Sequence, residues 1–332
     1  MKYAKDTRPI PVSTSTAEVL MEAMPWIKEI TGKTVVIKYG GNAMKDCALR
    51  DSVISDIVLM KIIGIKPIVV HGGGPDITSD FEKLGLESRF VGGQRITTEE
   101  GMEVVAKSLI GKVNQDLVSA MNQHGSMAVG VNGTDAATII AKQKDIELGR
   151  VGSVVRINTD YLNSVLDLDF IPIVASVALG DDAGIFNVNA DAVAGHLAAA
   201  IGAHKVIFLT DVDGLYDDFD DKDTLISNLT IPEAKQLAKS DKISSGMIPK
   251  IRACITALEQ GVFRAHIING TVPHAILLEL LTNIGVGTTL HSSDKSYKYD
   301  TNPLGNFASK LLENARAAQA QSSFWVAEEY QD

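Results

Sequence analysis

Thr34-Val35-Val36-Ile37-Lys38-Tyr39-Gly40-Gly41-Asn42, TVVIKYGGN, is the stretch from which the architecture follows. Four β-branched residues in succession favour an extended, buried strand. Lysine is unwelcome in such a strand, and paired glycines cost conformational entropy. Glycines do let backbone amides approach an anion closely, and a lysine adds a point charge. Alone, the motif reads equally well as an ordinary β-turn preceded by an exposed lysine.

Val69–Ile77, VVHGGGPDI, repeats the device: a strand, Gly72-Gly73-Gly74, then Pro75 where the first turn of a helix tolerates it. Amides around these glycines and that helix start form a nest suited to phosphate oxygens. Neither stretch is a Walker A loop, since no Gly-Lys-Ser/Thr follows, and no G-x-G-x-x-G matches. Two glycine turns after successive strands, one carrying lysine, favour phosphate binding over chance. His71, at its strand end, reads as structural.

The whole chain has the composition of a soluble globular protein. Its 332 residues suffice for one large or two modest domains. No apolar run approaches the roughly 18 to 20 residues of a membrane helix. The N-terminus lacks the apolar core and small-residue cleavage site of a secretory signal. Cys47 and Cys254 stand far apart, which argues for a reducing, cytosolic setting and against disulfides or a zinc site. A net charge of −10 disfavours a broad nucleic-acid footprint while leaving room for a small anion held by a few local cations.

From Lys33 to Leu290, short β-branched runs alternate with helix-like segments, the signature of an α/β fold around a mainly parallel sheet. Strands are expected at 34–39, 67–71, 128–132, 171–175, 205–210, 265–268 and 285–290. Helices are expected at 46–64, 77–84, 98–124, 191–201, 231–239, 247–260 and 273–281. Residues 134–158 read as hairpins. Two lobes, 31–183 and 184–290, are expected to meet near Gly180–Phe186, although that stretch also reads as a surface turn. Residues 1–30 read as an amphipathic helical arm, with Val19, Leu20, Ala23, Met24 and Ile27 on one stripe and an interruption at Pro25. Residues 291–332 form a tail of unknown role.

Further motifs add chemistry. Asn187, Asn189 and Asp191 alternate, so an extended backbone would place them on one face. Capping by Asn189 or Asp191 is the plainer explanation, but three aligned polar residues exceed what a cap requires and favour a site. Arg95 follows paired glycines and offers a fork that matches a carboxylate, or else a surface salt bridge. Thr210–Asp223, TDVDGLYDDFDDKD, lacks EF-hand spacing and its closing glutamate. A loop at the carboxyl end of a strand, lining a nucleotide pocket, fits it better. Lys250 follows a Ser/Gly turn and opens a helix, solvated or part of an anion site.

In order, KYGGNAM, VVHGGGP, FVGGQRIT, AVGVNG, IPIVASVA, FNVNAD, VIFLTDVDGLYDD, GMIPK, HIING, PHAILLEL and GVGTTL run from about Gly32 to Leu290 and resemble the amino-acid kinase family. The resemblance implies a three-layer sandwich around a mainly parallel open sheet, with two lobes and an N-terminal helix. It implies transfer of the ATP γ-phosphoryl group to the γ-carboxylate of N-acetyl-L-glutamate, in arginine biosynthesis. Lys38 and Lys250 would neutralise the transferring group, and Asp191 would hold both. Gly40, Gly41, Gly72 and Gly73 would give backbone donors. Gly73, Gly74, Arg95, Asn187 and Asn189 would line the acetylglutamate site. Thr210, Asp211, Val212, Leu215, Tyr216, Gly246 and Met247 would frame ATP, and Mg²⁺ would be held through the ATP phosphates, with no protein metal site.

The arm is similar to that of arginine-inhibited, hexameric members, and the resemblance carries the inhibitor site to Lys205, His266 and Glu279. Asp76, Gln94, Ser245, Asn269 and Asn283 depart from the family pattern without touching the lysines, Asp191 or Arg95. Two alternatives remain: another family member acting on glutamate, aspartate or carbamate, and a non-catalytic nucleotide-binding regulator. No nucleic acid or membrane is expected as a partner.

Overall fold

A computed structural model describes residues 10–44, 46–240, 243–244, 246–282 and 285–292. Ser245, Asn283, the first nine residues of the arm and the tail from 293 lie outside the described residues. The described residues divide into two compact units, the part before residue 30 and the part from residue 30 on. In the first, α1 (Ile10–Ile30) is a 21-residue helix that continues through Pro25. The expected interruption there is therefore corrected: the ring removes one backbone donor without ending the helix.

The second unit begins with β1 (Thr34–Tyr39), α2 (Cys47–Ile62), β2 (Lys66–His71) and α3 (Gly74–Lys83). A short hairpin, β3 (Phe90–Val91) and β4 (Gln94–Arg95), leads to α4 (Glu99–Ala106) and α5 (Gln115–Asn122). There follow β5 (Ala128–Asn132), β6 (Ile139–Gln143), β7 (Val151–Ile157), α6 (Asp160–Asp167), β8 (Ile171–Ala175), β9 (Val177–Gly180), β10 (Ile185–Val188) and α7 (Ala190–Ala200). The chain continues through β11 (Lys205–Thr210), β12 (Leu215–Tyr216), β13 (Leu225–Ile226), β14 (Asn228–Thr230), α8 (Ile231–Leu237), α9 (Ile248–Glu259), β15 (Arg264–Asn269), α10 (Ala275–Leu281) and β16 (Thr288–His291).

Eight strands form one sheet in the order β14-β16-β15-β11-β1-β2-β8-β5. Its pairings are parallel except that between β15 and β16. Strand alternation explains the layers. Val36, Ile68, Val70, Val206 and Phe208 join the core beneath α7 and α9, whereas Val35, Ile37, Val69, Ile207 and Leu209 join the core beneath α2, α5 and α10. Helices on both faces make a three-layer α/β sandwich. Period two also puts Lys38 on the same side of β1 as Val36, the α7–α9 side.

The expected hairpins at 134–158 are present as the antiparallel β6–β7 pair. They close with β9 and β10 into a four-stranded barrel that the sequence did not announce. Residues 181–184 are the turn of the antiparallel β9–β10 hairpin. The expected single helix over 98–124 is three segments, because Lys107–Asn114 is π-helical between α4 and α5. That wider turn seats Asn114 so that its Nδ2 donates to Ile173 O (2.7 Å) and to His71 Nε2 (3.0 Å). The last strand starts at Thr288, later than expected.

Candidate active site

β1, β2 and β11 deliver their loops to the same edge of the parallel sheet. The strand order reverses beside β1: β2, β8 and β5 follow on one side, β11 and β15 on the other. Ligand sites of open α/β sheets form outside the carboxyl ends of strands at such a switch point. Here three charged side chains converge. Lys38 Nζ lies 3.1 Å from Asp191 Oδ1, and Lys250 Nζ lies 3.2 Å from Asp191 Oδ2. Asp191 comes from the first turn of α7 and Lys250 from that of α9.

Asp191 and Lys38 are buried, at 4% and 9% exposure. Burial alone would push the Asp191 carboxyl upward; the charges of Lys38 and Lys250 outweigh it and hold the group below the usual carboxylate range. Both oxygens of Asp191 are thus committed to lysines. Among the described residues, no group of three His, Cys, Asp or Glu side chains is arranged to hold a metal ion.

The glycine turns flank this triad. Gly40 lies against Lys38, and Gly41 has φ +80°, where an added Cβ would also stand 2.8 Å from Asp211 Oδ1. The positive φ favours glycine at 41, and any side chain there would also have to displace the tip of Asp211. The Gly72–Gly74 turn leads into α3, with Pro75 next to its start. His71 stays a structural group. It is fully buried, donates Nδ1–H to Gly72 O (2.9 Å), and burial lowers its pKa to about 4.

A cavity of ≈ 210 Å³ opens between the triad and β4. Lys38, Asp191 and Gly72–Gly74 form one wall, and Arg95 and Asn187 another, with Asn189 nearby. Arg95 is 6% exposed and lies between Phe81 (5.0 Å) and Phe90 (4.6 Å). Its Nη1 donates to Ser88 Oγ, and its Nη2 to Thr78 Oγ1 (2.6 Å) and Gly74 O (3.2 Å). Three of the guanidinium's five N–H groups are so engaged, which leaves two for an anion. Asn187 Nδ2 donates to Thr97 Oγ1 at 3.2 Å. Asn189 is the N-cap of α7, its Oδ1 accepting from Ala192 N at 3.0 Å. The helix begins at Ala190, so Asp191 is helical and does not share an extended face with the two asparagines, as the alternation suggested. All three nevertheless line one cavity.

A second cavity, ≈ 410 Å³, is lined by Thr210, Val212, Leu215, Tyr216, Gly246 and Met247, with Lys250 at its edge. Asp211 does not line it; its carboxylate faces Gly41. Tyr216 is fixed by donating to Asp213 Oδ2 (2.7 Å), and Asp213 Oδ1 takes a hydrogen bond from Asn269, one of the departing positions, at 2.8 Å. Lys38 and Asp191 line the first cavity, Lys250 lines the second, and the triad joins the two.

Sequence reasoning missed Thr78, Phe81, Ser88, Phe90 and Thr97. Thr78 and Phe81 lay inside an expected helix and Thr97 just before the start of another, and their long-range partners left no local signal. Elsewhere, Lys205, His266 and Glu279 are all buried; His266 Nδ1 is 2.6 Å from Glu279 Oε1, and Lys205 lies close enough for its charge to lower the His266 pKa alongside burial, the larger cause.

The chain belongs to the amino acid kinase family, which it matches over residues 33–269. Within its relatives, the acetylglutamate kinase of Caldanaerobacter subterraneus subsp. tengcongensis is 48% identical over 277 residues, 82% of this chain and 92% of that protein. The acetylglutamate kinase of Nostoc sp. is 48% identical over 280 residues, 84% of this chain and 94% of that protein. Among solved structures, N-acetylglutamate synthase from Neisseria gonorrhoeae aligns with a TM-score of 0.74 at 25% identity. That match covers 84% of this chain, which spans 64% of the synthase chain. Carbamate kinase from Giardia lamblia shares the fold at a TM-score of 0.57 and 17% identity, over 79% of this chain and 99% of that one.

Proposed function

We propose that this chain transfers the γ-phosphoryl group of ATP to the γ-carboxylate of N-acetyl-L-glutamate, giving N-acetyl-L-glutamyl 5-phosphate and ADP for arginine biosynthesis. The observation that carries this reading is the buried Asp191 paired with one lysine from each of two adjoining cavities. The relatives at 48% identity are acetylglutamate kinases, which supports the choice of acceptor.

A side-chain carboxylate of this kind, with a pKa of about 4.3, is already ionised at neutral pH, so it attacks without a general base. One carboxylate oxygen bonds to the γ-phosphorus as the bond to the β,γ-bridging oxygen breaks, and ADP leaves with that electron pair. The protein contributes positioning and charge. Lys38 and Lys250 face the transferring group from the two cavities, and Asp191 fixes their ammonium positions without donating a proton. Arg95 and Asn187 hold the α-carboxylate, Asn189, Gly73 and Gly74 lie beside them, and the Gly40, Gly41 and Gly72 amides meet phosphate oxygens. The nucleotide occupies the second cavity against Leu215, Tyr216 and Met247. Mg²⁺ would come held by the ATP phosphates and would supply charge to offset theirs, with Lys38 and Lys250 as the protein's own cations.

We assign regulation to the buried Lys205, His266 and Glu279 group as an L-arginine site. The assembly we propose is a hexamer, a trimer of dimers, using α1. The lobes 31–183 and 184–290 would then carry acetylglutamate and ATP respectively. No helix among the described residues is long and apolar enough to cross a membrane. Cytoplasmic residence is part of the proposal, supported by the free cysteines Cys47 and Cys254.

The test is ADP release with acetylglutamate, glutamate, aspartate and carbamate in turn, each with and without L-arginine. Turnover confined to acetylglutamate and depressed by arginine is expected. Preference for another acid would overturn the acceptor, and no turnover with any of them would favour a nucleotide-binding regulator.

A further inference from the structure

Thr97 is wholly buried between the proposed carboxylate-binding residues, yet its backbone and side chain both lead to them. Its hydroxyl donates to Arg95 O (3.0 Å) and accepts from Asn187 Nδ2 (3.2 Å). A hydroxyl carries a single proton. With that proton committed to Arg95 O, the oxygen meets Asn187 only as an acceptor, so it receives the amide nitrogen and not the amide oxygen. The Asn187 carboxamide is thereby oriented, with Oδ1 and its second N–H left for a ligand.

The backbone makes this hydroxyl a fixed reference. Thr97 N donates to Leu148 O (3.0 Å), and Thr97 O accepts from Arg150 N (2.6 Å). Arg150 O in turn accepts from Asn187 N (2.9 Å). The Thr97–Gly149 bridge is parallel and tight: Gly149 has φ +66°, and an added Cβ would overlap the Thr97 carbonyl. Arg150 then anchors the strand through Glu99 Oε1 and Asp182 Oδ2, and its guanidinium lies over Phe186 at 5.3 Å. Arg95 and Asn187, far apart in sequence, thus meet at one hydroxyl on a stitched backbone.

We infer that Thr97 is a positioning residue for the acceptor substrate: its hydroxyl sets the orientation of the Asn187 amide relative to Arg95, and with it the recognition of the substrate's α-carboxylate. The inference rests on the proposed role of Arg95 and Asn187 in holding the acceptor's carboxylate, and on the acetylglutamate reading for the choice of probe.

Thr97→Val keeps the shape and removes both hydrogen bonds, while Thr97→Ser keeps the hydroxyl. For Thr97→Val, the KM for acetylglutamate is expected to rise about tenfold, the scale of a buried amide left unpaired. The KM for ATP should stay within about twofold, and Thr97→Ser should restore acetylglutamate KM to within about twofold of the parent. In an Asn187→Ala background, Thr97→Val should add less than about twofold, because residues acting through one bond are not additive.

An unchanged acetylglutamate KM in Thr97→Val, an equal rise in both KM values, or a Thr97→Ser variant as impaired as Thr97→Val would each overturn the inference. A purely structural hydroxyl would lower the melting temperature and leave the KM ratio alone. Should Thr97→Val fail to fold, Thr97→Ala against Thr97→Ser makes the same comparison. If the parent enzyme ignores acetylglutamate and phosphorylates another acid of the panel, the acceptor reading fails, and the same variants measured with that acid decide the role of Thr97.

Discussion

Asp191 illustrates how one buried carboxylate serves two ends. Its pairing with Lys38 and Lys250 keeps it anionic against the pull of burial, and it keeps two cations close that would otherwise repel each other. Asp191→Asn should lower kcat by about 10²–10³, the scale of losing a preorganised electrostatic element, with smaller changes in either KM. Arg95→Ala should do the opposite, raising the KM for acetylglutamate while leaving that for ATP nearly unchanged. Steady-state kinetics on both substrates separates the two; near-normal turnover by Asp191→Asn would remove it from the reaction. His71 offers a pH test of burial. Its folded pKa is lowered to about 4, whereas an unfolded chain holds histidine near 6.5. Between those values the unfolded state binds more protons, so stability falls as pH drops from about 6.5 toward 4. His71→Asn retains a donor near Gly72 O and does not titrate there. Chemical denaturation at pH 7 and pH 4.5 should show the parent losing about 2–3 kcal/mol more than His71→Asn. Equal losses would mean that His71 is not held neutral by the fold.

The triad exists because two helices cross closely. Gly195 of α7 packs on the backbone of α9, where an added Cβ would lie 2.6 Å from Ala253 O. Backbone cannot yield as a side-chain tip does, so Gly195→Ala must push α9 away and carry Lys250 from Asp191. A stability loss of about 1–3 kcal/mol, typical of overpacking, should accompany a fall in kcat. Thermal unfolding alongside kinetics checks both; an unaltered melting temperature would show that the crossing is slack. Such contacts mark the limit of what a sequence discloses. The β-branched runs of β1, β8 and β11 were legible to the residue, because strands buried on both faces are written in local composition. The two glycine turns were legible for the same reason. The β6–β7–β9–β10 barrel was only half legible, since its closure depends on pairings between separated strands. The π-helical turn at Lys107–Asn114 left no periodic signature. Arg95 was visible as a lone fork after two glycines, but its aromatic neighbours Phe81 and Phe90 and its link through Thr97 to Asn187 come from folding across the chain.

At the scale of the molecule, α1 is the feature that the fold of residues 30–294 does not require. It exposes Val19 (64%), Leu20 (63%) and Met24 (38%), three members of the stripe read from the sequence. An apolar stripe of this kind on a long helix is stabilised by association with another surface. We expect that surface to belong to further copies of the chain. Ile30, by contrast, is 1% exposed and belongs to the core that includes Val35 and Ile37. An informative truncation therefore removes residues 1–28 and keeps Ile30. The Lys205, His266 and Glu279 group lies within residues 30–294, so its own side chains survive the cut. Light scattering should give a hexamer for the full chain and a dimer for the truncated one. Turnover without effector should change by less than about twofold, because none of the site residues is removed. Half-inhibition by arginine should move to at least about tenfold higher concentration, the scale of a coupling free energy between sites. The same mass for both chains would refute α1 as the assembly element. A dimer that keeps full arginine sensitivity would separate assembly from inhibition and confine the inhibitor site to the buried histidine–glutamate pair and Lys205.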